Sequence, residues 1–217
     1  MTQPLRPELP PLPPRIAALP VDERGYPCPF FVAWIDGKPD HRIVEPEKMR
    51  LCVREKRCWV CGEPLRERFT FVLGPMCVVN RVSSEPPSHH SCAEFSVKAC
   101  PFLSRPRMHR REAGLPDEIL EDPAGIMIKR NPGVMALWPT KSYQIRRQDG
   151  GMLFTVGDPD GKPIWFTEGR RATRQEVLDS MDAGLPSLRD MARAQGDFAR
   201  RVLNRMHHAA LRFIPSV

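Results

Sequence analysis

A chain of 217 residues with 41% hydrophobic side chains is long enough for one sizeable core or two small ones, which excludes a disordered tail. It holds no run of about 18 apolar residues, and its start has neither a charged stub nor an apolar block, so neither a membrane span nor a signal peptide is expected. The net charge of +7 rests on 26 arginines and 7 lysines, a mild positive field that favours polyanionic partners.

Nine prolines in residues 1–30 fix backbone angles and remove amide donors, so this Pro-rich segment is expected to run as an extended arm. Phe30-Phe31-Val32-Ala33-Trp34-Ile35 is a continuous apolar run closed by Asp36-Gly37-Lys38-Pro39, which reads as a strand buried on both faces, with residues 42–44 pairing back. Asp36, Asp40 and His41 would then lie near one strand end as an acid and base set, although turn chemistry already explains the aspartates. Pro46 suits a first helical turn, and Met49 and Val53 share a face, which predicts a short helix over 45–57.

Five of the seven cysteines fall between Cys58 and Cys100. Without an export signal, such a cluster reads as metal ligands or free thiols in a reducing cytoplasm. Cys58-Trp59-Val60-Cys61-Gly62 is a CxxC with glycine after it, as a tight turn aiming amides at sulfur needs. His89-His90-Ser91-Cys92 is an HxxC at the first turn of an expected helix over 89–100, with Ser88 as N-cap and Phe95 and Ala99 inward. Two close pairs supply four tetrahedral donors with little loop entropy, so Cys58, Cys61, His89 and Cys92 are the expected ligands of a structural Zn2+. His90 is the alternative ring, and Cys77 and Cys100 are the alternative thiols.

Between the pairs, residues 69–73 and 77–82 flank Gly74-Pro75-Met76 and predict a β-hairpin. Residues 104–132 read as a connector, basic first (Arg105, Arg107, Arg110, Arg111) and then acidic. Strands expected over 134–138, 143–147, 152–156 and 163–167 are most simply an antiparallel meander. Thr173-Arg174-Gln175-Glu176 is a capping box opening a helix that should end near Gly184. A last helix is expected from Ser187, with Leu188, Met191, Phe198, Val202, Met206 and Ala209 as its apolar stripe and Arg200, Arg201 and Arg205 on a solvated face.

The order of metal-binding turn, hairpin and helix over residues 57–102 resembles the treble-clef zinc finger. The wider chain resembles a family of bacterial and phage proteins in Arg24-Gly25-Tyr26-Pro27, Gly74-Pro75-Met76-Cys77 and Cys100-Pro101-Phe102-Leu103. That resemblance implies a prokaryotic or phage setting and no activity. The expected class is α+β: a Pro-rich arm (1–30), an α+β zinc-binding domain (31–103), the connector (104–132), and a β-meander with two C-terminal helices (133–217).

Treble-clef frameworks also carry HNH-type nucleases, which add a histidine on the hairpin and metal-binding residues on the helix. Residues 69–82 offer neither histidine nor acid. The first expectation is therefore a zinc-stabilised, non-enzymatic protein that meets nucleic acid through arginine-rich surfaces. A phage or bacterial adaptor that binds a host protein through the Pro-rich arm and the meander is the second, and an HNH-like metal-dependent nuclease the third.

Overall fold

The computed structural model describes residues 3–106, 108–109, 113, 130–148 and 151–216. The N-terminal arm is anchored as well as extended. Pro13 and Pro14 open a one-turn helix, α1 (Pro14–Ala17), which buries Ile16 to 1% exposure while Leu9, Leu12 and Leu19 pack beside it.

Strands β1 (Val32–Ile35) and β2 (Lys38–Val44) form an antiparallel hairpin. Its turn is Asp36-Gly37, both at positive φ (50° and 76°), the geometry that matches strand twist. The strand is not buried on both faces. Val32 and Ala33 are covered, but Trp34 and Ile35 are 45% and 42% exposed, because among the described residues no third strand joins this two-stranded sheet. Helix α2 (Pro46–Glu55) follows with proline in its first turn and ends on Lys56 in a left-handed conformation.

The segment expected to be a hairpin forms strand β3 (Phe69–Leu73), helix α3 (Pro75–Asn80) and the short strand β4 (Val82–Ser83). Gly74 in an extended conformation followed by Pro75 is a helix start, not a two-strand connection, and Val78 and Val79 are both buried by the helix. β3 pairs instead with β5 (Met135–Thr140) across the chain, Phe71 opposite Trp138 and Leu73 opposite Ala136.

The four later strands exist and are antiparallel, but they do not form one meander. β6 (Tyr143–Gln148), β7 (Gly151–Val156) and β8 (Ile164–Thr167) divide between two sheets. One has the order β3-β5-β8-β9, where β9 is Arg170–Arg171, and the other the order β4-β7-β6. The division follows polarity. β5 is buried almost throughout and needs an apolar neighbour on each side, which β3 and β8 supply. β6 is polar and exposed, so it lies at an edge.

Helix α4 (His90–Ala99) leads into the one-turn α5 (Pro101–Ser104). Phe95 points inward as expected, whereas Ser88 makes no side-chain cap and His89 holds the N-cap position. The Thr173–Glu176 capping box is formed, but α6 (Arg174–Ala194) runs straight through Gly184 and Pro186. Gly184 serves a close approach, since a Cβ there would lie 2.8 Å from Met76 Cγ.

The chain turns instead at Gly196 (φ 96°), and α7 (Asp197–Ala210) closes the fold. Its inward residues are Leu203 and Ala210, with Phe198 71% exposed, so the expected stripe is rotated by the break between the helices. The main core packs Trp138, Trp165, Phe71, Phe154 and Met181 together with Ile16, Cys58 and Cys92. No helix among the described residues is long and apolar enough to cross a membrane.

Candidate metal centre

The first pair of donors sits in a tight knuckle of residues 56–65. The Leu65 amide donates to Lys56 O (2.7 Å) and the Cys58 amide to Glu63 O (2.8 Å), which closes the loop around the two thiols. Gly62 has φ 75°, and a Cβ there would stand 2.6 Å from the Phe30 ring, so only glycine suits the position. The turn aims the Cys61 amide at Cys58 Sγ, 3.4 Å away. Between the cysteines, Trp59 stacks on Phe31 at 4.6 Å, while its buried indole nitrogen has no hydrogen-bond partner among the described residues; the ring acts through its stack.

The second pair arrives by a different route. Thr70 of β3 and Ser88 exchange two backbone bonds of 3.0 and 2.8 Å, which pins the start of α4 beside the knuckle. His89, the N-cap of α4, directs its amide at Cys58 Sγ (3.4 Å), and Cys92 lies in the first helical turn. The outcome is a quartet of Cys58, Cys61, His89 and Cys92 whose ligand atoms all lie within 4.8 Å of one another, close enough to hold a metal ion and consistent with zinc. Tetrahedral zinc with Zn–S bonds of about 2.3 Å needs sulfurs about 3.8 Å apart, so a small contraction completes the fit.

The histidine is oriented for the task. Its Nε2 lies 3.2 Å from Pro64 O, so this nitrogen carries the proton and donates to the carbonyl. Nδ1, 3.4 Å from Cys61 Sγ, faces the cluster with its lone pair. Cys58 and Cys92 are fully buried. Hydrogen bonds from Cys61 and Cys92 push the Cys58 thiol far below its usual value, with His89 adding to the effect. Cys92 and Cys61, which donate to it, are pushed up, Cys61 to about 11. The surroundings thus favour negative charge on a sulfur of the set, and the thiolate is the state that binds metal.

His89 stands in the quartet and His90 does not; His90 is exposed, with its Nδ1 3.5 Å from the Thr70 hydroxyl. Cys77 lies in α3 and Cys100 ends α4, and neither joins the quartet. Of the basic residues expected to face nucleic acid, Arg105 is exposed, while Arg107, Arg110 and Arg111 lie outside the described residues.

The expected acid and base set is not assembled. Asp36 makes the β1–β2 turn and Asp40 pairs with Arg42 at 2.6 Å. His41 instead meets Asp22 at 3.2 Å and Cys28 at 4.0 Å, through the same Nε2. Sequence reasoning missed Asp22, whose carboxylate accepts the amides of Arg24 (2.9 Å) and Tyr26 (2.8 Å). Burial pushes Cys28 up to about 11 and, outweighing the Asp22 charge, pushes the His41 ring down. Burial thus favours the protonated thiol at Cys28, a poor nucleophile.

No family model, curated protein or solved structure matches the chain.

Proposed function

We propose that Cys58, Cys61, His89 and Cys92 hold a structural zinc ion, and that the protein is a zinc-stabilised, non-enzymatic binding protein whose arginine-rich surface meets nucleic acid. The observation that carries the reading is the quartet: three thiols and one oriented imidazole within 4.8 Å of one another, with two backbone amides aimed at Cys58. Four protein donors fill a tetrahedral zinc and leave no position for a reacting water, which favours a structural over a catalytic ion. The knuckle and the start of α4 are then the two ligand-bearing parts of a treble-clef-like finger, with β3, α3 and β4 standing where a hairpin would be.

Nucleic acid is the partner that the charge favours: net +7, with arginine the dominant cation and most of its guanidinium groups at the surface. The setting that suits seven unpaired cysteines is a reducing cytoplasm, bacterial or phage-derived.

Protein purified without added metal is expected to carry about one zinc per chain by elemental analysis. Cys58→Ser and Cys92→Ser should each lose it, and full zinc in both variants would overturn the ligand assignment. For the partner, fluorescence anisotropy with generic DNA and RNA at low salt should show binding that weakens steeply as salt rises. No binding at low salt would sink the nucleic-acid reading and leave the zinc assignment standing.

A further inference from the structure

Away from the zinc quartet, a groove of about 510 Å³ opens between α2 and the β6–β7 hairpin. Arg50, Val53, Arg54, Arg147, Gly151 and Met152 line it. Arg50 and Arg54 are four residues apart on α2 and therefore share one helix face. Arg147 stands on the other wall, on β6, directly opposite Met152 of β7 in the strand pairing. Val53 and Met152 make the groove's apolar floor, and Ile145, two residues before Arg147 and so on the same face of β6, is 40% exposed.

We infer that this groove binds the phosphodiester backbone of single-stranded nucleic acid, an inference that rests on the nucleic-acid reading above and gives it a location. Three guanidinium groups on two facing walls can fork around phosphate oxygens from both sides, which a single convex patch of arginines does not do. Two of them have acids nearby: Arg50 pairs with Glu47, and Arg54 with Glu55, which also holds Arg57. These pairs are exposed and of little worth in water, so a phosphate displaces them readily. Arg147 has no ion pair among the described residues.

Strand number follows from shape. A concavity of this volume admits a nucleotide unit whose base rests on the apolar floor, while the bases of a duplex are stacked inside it and unavailable. The floor has aliphatic side chains and a thioether instead of an aromatic ring, so it holds any base by contact alone and selects little sequence.

The test uses the full-length, zinc-loaded protein with fluorescein-labelled oligo-dT, oligo-U, a duplex of equal length and a poly-glutamate peptide, read by anisotropy across a salt series. A triple variant, Arg50→Ala with Arg54→Ala and Arg147→Ala, is compared with a control, Arg193→Ala with Arg200→Ala, on helices remote from the groove in sequence. All five arginines are exposed, and unchanged zinc content and melting temperature verify folding.

The triple variant should bind single strands about tenfold or more weakly, and its salt dependence should flatten by about two units in log–log slope, as expected for three lost phosphate contacts. The control should bind as the native chain does. Equal binding by native and triple variants overturns the groove while the nucleic-acid reading survives. Duplex bound as tightly as single strands, or poly-glutamate preferred to both, overturns the assignment of a single strand. An absence of all nucleic-acid binding by the native chain removes the reading on which the groove rests.

Discussion

Two places in this chain set a cysteine against a histidine. In the quartet, Cys58 receives the amides of Cys61 and His89, and two further thiols stand beside it. In the knot near the N-terminus, Cys28 receives no backbone amide among the described residues; its sulfur meets the Tyr26 carbonyl at 3.9 Å and the His41 ring at 4.0 Å, with the Asp22 carboxylate close by. The local fields are opposite in sign. Amides aimed at sulfur stabilise a thiolate, whereas burial beside a carboxylate holds the thiol neutral. Cys58 is drawn toward the thiolate first by the thiols of Cys61 and Cys92 gathered around it, with His89 and the amide of Cys61 adding, whereas a single histidine beside Cys28 does not do so.

The largest expected effect comes from breaking the quartet. Cys58→Ser removes the sulfur on which both amides converge. Metal binding in small zinc fingers is worth about 10 to 16 kcal/mol, and losing even part of that should lower the melting temperature by about 10 °C or more, with zinc lost by elemental analysis.

Next comes Asp22→Ala. It strands the amides of Arg24 and Tyr26 and removes the partner of His41, at a cost of about 2 to 3 kcal/mol in chemical denaturation, with zinc content unchanged. Cys28→Ala, which removes only a buried sulfur, should cost about 1 kcal/mol and also leave the zinc in place. Zinc loss in Asp22→Ala or Cys28→Ala would erase the distinction between the two places.

The quartet was legible because each pair is local. CxxC and HxxC spacing lies within a turn of chain, and Gly62 marks the knuckle as clearly as the cysteines do. What brings the pairs together was less so. β3 reads as half of a hairpin because its strand propensity is local, while its actual partner β5 is supplied from the other side of the connector. The same holds for Gly184, which signals a helix end in the sequence but in the fold makes room for Met76. Asp22 and His41 are joined by the β1–β2 hairpin folding back on the N-terminal arm, and the arginine groove by α2 meeting β6. Neither juxtaposition leaves a pattern at any fixed spacing.

The mildest test of the comparison is alkaline pH on the thiols outside the quartet. Burial pushes Cys28 and Cys77 up to about 11 and Cys52 to about 12. In the unfolded chain all three ionise near the free value of about 8.5. Below that pH both states keep the proton and the thiols contribute their full stability. Between about 8.5 and 11 the unfolded state loses protons that the folded state retains, so stability falls as pH rises, by about 1 kcal/mol per unit for each thiol. Chemical denaturation at pH 7 to 10 should show this decline, and it should be shallower in Cys28→Ala. At pH 8, iodoacetamide should leave Cys28 unmodified in the folded protein, since both its burial and its protonation oppose reaction. Rapid labelling of Cys28 under those conditions would mean that its sulfur is a thiolate after all, and that the N-terminal knot shares the chemistry of the quartet.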